Sequence, residues 1–205
     1  MKAYISDAMY TIFHPFNGFW SLKYEKKGKT FVANCLYLLL LVTTMIRSGS
    51  TGFIVKDNTV SALNVIKELF SVILPVILWC TANWSTTTLM NGKGSFRDIY
   101  IALAYSLIPF ILFQIPLTLL SNVITEDELM YHTFFCAVQI LWTGFLILIS
   151  TMTIHEYTFY KTIVTILLTL IVAVIILILA VVFIALLQQS FNFFYQVYQE
   201  IIFRV

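Results

Sequence analysis

Five long apolar runs constrain this chain more than anything else in it. A helix crossing a bilayer needs about 20 mostly apolar residues, because it rises about 1.5 Å per residue across roughly 30 Å of hydrocarbon. The runs at about 30–46, 69–89, 99–120, 133–154 and 162–187 qualify, the first being short at its core. They are continuous, whereas barrel strands alternate apolar and polar residues over about ten positions. Of the 205 residues, 60% are hydrophobic and 11% charged. Ordinary globular domains carry about 25% charge, so these few could not coat a soluble particle. The predicted fold class is an all-α integral membrane protein, a bundle of five transmembrane helices.

Loop charge predicts the orientation. With the N-terminus inside, the inner segments hold Lys2, Lys23, Lys26, Lys27, Lys29, Lys93, Arg97 and Lys161. The outer segments hold only Arg47, Lys56, Lys67 and Arg204, and the turn at 121–131 carries TEDE with no cation. Lysine and arginine stay cytoplasmic, which gives N-in and C-out. The first 30 residues show no apolar core with a small-residue cleavage site, so no cleavable signal is expected.

Residues 1–29 form a cytosolic segment with a polybasic strip. The pairs Tyr4/Ile5, Ala8/Met9 and Ile12/Phe13 recur at helical spacing. That helix should end at His14–Pro15, with a turn at Asn17–Gly18. Phe16, Phe19, Trp20 and the lysines suit an amphipathic helix at the inner interface; packing beneath the bundle is the alternative. Residues 30–187 form the five-span domain. The tail, 188–205, is too polar to span and too aromatic for water. Its Tyr195 and Tyr198 suggest an outer-surface helix or a partner-docking surface.

The spans offer little for chemistry. None has a central Asp, Glu, Lys or Arg, although ion coupling calls for ionisable groups near the midplane. Asn83, Gln114 and Gln139 are predicted interhelical polar contacts, with lining of a substrate path as the alternative. Gly144 offers a close-approach point, and Pro75, Pro109 and Pro116 should bend their spans, the last two on one face. Cys35, Cys80 and Cys136 lie in apolar runs without CxxC spacing and read as packing residues. His14, His132 and His155 fall on different sides of the membrane, so no shared metal is expected. No HExxH, GxSxG or P-loop pattern occurs, and NGKG at 91–94 lacks phosphate-loop spacing. Neither an enzyme nor a cofactor is expected. A net charge of +2 without a basic stripe argues against nucleic acid.

The most distinctive stretch joins the second and third spans: Trp84, then Gly92, Gly94, Ser95, Phe96, Ala104, Tyr105 and Pro109. It resembles the hallmark of the YIP (Ypt/Rab-interacting protein) family of five-span membrane proteins, over about residues 31–187. The opening, His14, Pro15, Phe16, Gly18, Trp20 and Lys23, is similar to bacterial members. Eukaryotic members carry a longer cytosolic N-terminal region, so Rab binding is not carried over. The resemblance implies a non-enzymatic scaffold or accessory subunit in a bacterial inner membrane. Its implied partners are the lipid bilayer and other integral membrane proteins, such as permease subunits of an ABC-type carbohydrate importer. Candidate partner-docking residues are Trp84, Gly92, Lys93, Gly94, Ser95, Phe96, Arg97, Tyr195 and Tyr198. The glycines are expected to supply backbone conformations closed to other residues, and Asp98 to cap the third span. A plain hairpin is the alternative for this turn. A small transporter or channel is the second functional class and an intramembrane enzyme the third.

Overall fold

The computed structural model describes residues 2–52 and 65–203, with side chains described from residue 6 onward and that of Ile201 excepted. Lys56 and Arg204 of the charge count, and the side chains of Lys2, Tyr4 and Ile5, lie outside the described residues. Among the described residues eight α-helices follow in order: α1 Lys2–Phe13, α2 Pro15–Tyr24, α3 Thr30–Ser50, α4 Val65–Leu89, α5 Phe96–Ser106, α6 Ile108–Leu120, α7 Leu129–His155 and α8 Phe159–Phe203. No strand occurs among the described residues. Among the described residues five units are long and apolar enough to cross a membrane: α3, α4, the α5–α6 pair, α7 and α8.

The helix breaks follow proline chemistry. Pro15 sits at the start of α2, where its missing N–H costs nothing. It therefore initiates a helix, and the turn expected at Asn17–Gly18 is instead helical. Pro109 opens α6 and splits the third span at Leu107. Pro75 is accommodated inside α4 and Pro116 inside α6. Pro109 is buried and Pro116 exposed, so the two do not share one environment.

The core forms around α5, whose residues Ile101 to Ser106 are all buried. Small side chains make this possible. Ala33, Ala102 and Ala104 let α3 and α7 close on α5, and Leu146 and Ile149 fill the space between them. The Tyr37 ring lies tilted against that of Tyr100 at 4.8 Å, and its hydroxyl donates to the Tyr100 carbonyl at 2.9 Å. The Tyr100 hydroxyl in turn donates to Asn34 at 2.8 Å.

The N-terminal segment packs against this core and is also exposed. Ile12, Phe19 and Leu22 join the α5–α7 cluster, while Met9, Tyr10, Phe13, Phe16 and Trp20 face outward. The two helices meet at Thr11 and Gly18, where a Cβ on the glycine would lie 2.6 Å from the Thr11 Cα. One face of the helical hairpin packs on the bundle and the other is exposed.

Two further expectations change. Gly144 has nothing within 4 Å of a hypothetical Cβ, so it is no close-approach point. The close approach belongs instead to α8, whose Thr162, Thr165 and Thr169 are fully buried at three- and four-residue spacing against α4. Small residues so spaced allow helix backbones to pack closely in lipid. The expected separate tail helix is continuous with the fifth span. No Gly or Pro interrupts 159–203, so nothing terminates α8 at Gln188. Its 45 residues extend about 68 Å, more than twice the hydrocarbon thickness. From Leu177 to Glu200 every residue is exposed.

Candidate functional site

Three chain corners converge at one end of the bundle: the end of α2, the 90–95 turn between α4 and α5, and the α7–α8 corner. The turn begins where α4 stops, as Gly92 N–H donates to the Thr87 carbonyl at 2.7 Å. Ser95 then caps α5 in a reciprocal capping box with Asp98. The Ser95 N–H donates to Asp98 Oδ2 at 3.0 Å, and the Asp98 N–H donates to Ser95 Oγ at 3.3 Å. Such a box satisfies amides that a helix start leaves open.

Gly92 and Gly94 are required for space and not for backbone freedom. Among the described residues no glycine has a positive φ. A Cβ on Gly92 would lie 2.5 Å from His155 Nδ1 and 2.7 Å from the Tyr157 hydroxyl. A Cβ on Gly94 would lie 2.5 Å from Ile154 Cγ2. The residues that do adopt left-handed backbone are Lys26 (φ 54°), Asn91 (φ 55°) and Glu156 (φ 55°). Each lies in one of the segments that meet at this end. Residues held so carry strain of order 1 kcal/mol, which surrounding contacts must hold.

Those contacts are polar. The Gly94 N–H donates to His155 Nδ1 at 3.3 Å, which leaves the ring proton on Nε2. His155 is fully buried, and its Nε2 has no hydrogen-bond partner among the described residues. The Tyr157 ring lies 5.4 Å from that of His155, and its hydroxyl donates to the Met90 carbonyl at 3.2 Å. Lys161 lies 4.2 Å above the centre of the Tyr157 ring. Glu156 receives Lys93 Nζ at 2.5 Å and the Tyr24 hydroxyl, and Lys23 Nζ donates to the Ile154 carbonyl at 2.6 Å. The Lys93 and Tyr24 hydrogen bonds hold the Glu156 carboxyl below the usual carboxylate range. The same carboxylate pushes the Tyr24 phenol up to about 12.

Trp84, Gly92, Lys93, Gly94, Ser95, Phe96 and Arg97 therefore share this end. Trp84 and Phe96 meet edge to face at 6.3 Å, and both are half exposed. Tyr195 and Tyr198 do not join them. They lie on α8, with Tyr195 36 residues (about 54 Å) beyond Phe159, and the Tyr195 hydroxyl accepts from Gln199 at 2.9 Å. Sequence reasoning did not anticipate His155, Tyr157 and Glu156 as the platform beneath the turn. The HEY run at 155–157, closing the fourth span, was their only signal.

The interior polar residues take separate places. Gln139 Nε2 donates to Gln114 Oε1 at 3.1 Å and to the Phe110 carbonyl at 2.9 Å. This pair lines a cavity of about 560 Å³ toward the other end of the bundle, with Arg47, Glu68 and His132 also on its walls. Asn83, fully buried, approaches Thr169 at 3.5 Å across the α4–α8 seam. Cys80 is buried and Cys35 exposed, so only the former packs as expected. Among the described residues no three His, Cys, Asp or Glu side chains gather to hold a metal.

The family model of the Yip1 domain matches residues 9–187. The chain belongs to the Yip1 family. The match takes in the end of α1, all of α2, the glycine turn and the apolar part of α8, and stops just before the polar tail. No curated protein and no solved structure matches the chain.

Proposed function

We propose that this Yip1-domain protein is a non-enzymatic membrane scaffold whose glycine-turn face docks another integral membrane protein. The observation that carries this reading is the Trp84–Phe96 pair, displayed beside Lys93 and Arg97 on a turn held rigid from below. Partially exposed aromatics next to cations are the residue types that anchor protein interfaces. The charge distribution supports placing this face on the cytosolic side, with Lys23, Lys26, Lys27, Lys29, Lys93, Arg97 and Lys161 around it. The similarity of the opening to bacterial members supports an inner-membrane location and a permease subunit of an ABC-type importer as partner. Tyr195 and Tyr198 offer a second contact at the far end of α8.

Purification at native expression, with mass spectrometry of co-eluting chains, tests this reading. It expects a stoichiometric permease subunit that is lost from Trp84→Ala/Phe96→Ala protein. Elution of the chain alone would refute it.

A second reading, a small transporter or channel, is favoured by the polar cavity above Gln114 and Gln139. Solute flux in liposomes holding this chain alone, reduced by Gln114→Leu, would support it over the scaffold.

A further inference from the structure

A second cavity opens beside the glycine-turn face, between the end of α2, the 25–29 linker and the start of α5. It encloses about 680 Å³. Four cations from these three segments line it: Lys23, Lys26, Lys29 and Arg97. Its one lining acid is Asp98, whose carboxylate is already occupied in capping α5 by accepting from the Ser95 amide and hydroxyl. Among the described residues Lys23, Lys26 and Arg97 form no ion pair. Three of its cations thus face the cavity without a carboxylate partner among the described residues.

Its floor is apolar, made by Phe19, Leu22 and Ile101. The rim adds direction. Phe31 at the mouth is 76% exposed, and it heads a continuous exposed stripe on α3 through Cys35, Leu38, Val42 and Ile46. The spacing of four, three, four and four residues keeps these side chains on one helix face. A cationic pocket lining thus stands at the head of an apolar track running along a spanning helix. The linker holds its form by close contact: a Cβ on Gly28 would lie 3.0 Å from both Ile101 Cγ2 and the Leu22 carbonyl oxygen. Lys26 is fixed beside it in left-handed backbone.

We propose that this cavity binds the phosphoryl headgroup of an anionic glycerophospholipid, with an acyl chain lying along the α3 stripe. Basic pockets at the ends of spanning helices attract anionic headgroups, each cation contributing about fivefold near a membrane surface. The apolar track distinguishes a lipid from free phosphate, which has nothing to place there. This site shares Arg97 with the docking face but not Trp84 or Phe96, so the Lys26 variants test it apart from docking.

Native mass spectrometry of the full chain in detergent, offered phosphatidylglycerol or phosphatidylcholine, tests the assignment. Phosphatidylglycerol should be retained about tenfold better. Lys26→Gln and Arg97→Gln should each lower that retention about fivefold, and Lys26→Arg should restore it. Lys27→Gln, which removes the same charge outside the cavity where Lys27 pairs with Glu25, should leave retention unchanged. Inorganic phosphate should not displace the lipid. Equal retention of the two lipids, an equal loss with Lys27→Gln, or displacement by inorganic phosphate would each overturn the proposal. The Lys26 variants, on an exposed linker, keep the test valid should Arg97→Gln fail to fold.

Discussion

Gly92 lies so close to His155 that a methyl group on its Cα would sit 2.5 Å from the imidazole Nδ1. The turn between the second and third spans is thereby seated on the corner between the fourth and fifth. Gly92→Ala and Gly94→Ala should each destabilise the protein by about 1–3 kcal/mol, the usual cost of forcing a side chain into a filled space. Gly144→Ala, with open space around it, should be neutral or slightly stabilising through helix propensity. Thermal unfolding in detergent separates the two outcomes.

Glu156 joins the corner to both Lys93 and Tyr24. Its depressed carboxyl pKa means that its stabilising contribution is present above the usual carboxylate range and is lost as pH falls through the lowered value. Tyr24 behaves oppositely. Its raised pKa gives a contribution present below pH 10, lost as pH rises toward about 12. Ultraviolet difference titration of wild type against Tyr24→Phe should show a phenol ionising near 12. Glu156→Gln should move that ionisation back toward 10.

Much of this architecture is legible in the sequence because length and hydropathy are one-dimensional properties. The five spans, the break at His14 and the capping role of Asp98 follow from local chemistry. What was not legible depends on which surfaces meet. Gly92 and Gly94 suggest backbone conformations closed to other residues; they are instead spacers, since the platform beneath them, Ile154 to Tyr157, is distant in the chain. Gly144 looked like a packing notch and faces open space, while the buried threonines of α8 gave no local sign of their partner. The continuity of α8 past Gln188 reflects the same limit. Polarity changes there, but the backbone meets no terminator.

The amide pair inside the bundle should act as a unit. Gln139→Leu leaves the Gln114 side-chain oxygen without its donor, which should cost about 1–3 kcal/mol. Adding Gln114→Leu should cost less than its effect alone, because the partner it would orphan is already gone. Unfolding measurements on both single variants and the double variant provide the cycle; strict additivity would contradict the coupling.

The α4–α8 seam depends on small residues at Thr162, Thr165 and Thr169. Thr165→Leu should loosen the seam at a cost of about 1–3 kcal/mol, and Thr165→Ala should be tolerated better. The Thr165 hydroxyl also donates to the Met90 sulfur at 3.3 Å, a weak contact whose loss should be small. Detergent unfolding midpoints rank the two variants.

Photo-crosslinking in native membranes, from probes placed singly at Trp84 and Phe96, addresses the docking face itself. The scaffold reading predicts that both positions form an adduct with the same integral membrane protein, and that Gly92→Ala, which displaces the turn, weakens it. Adducts with lipid alone, or with no common protein from the two neighbouring positions, would contradict the reading.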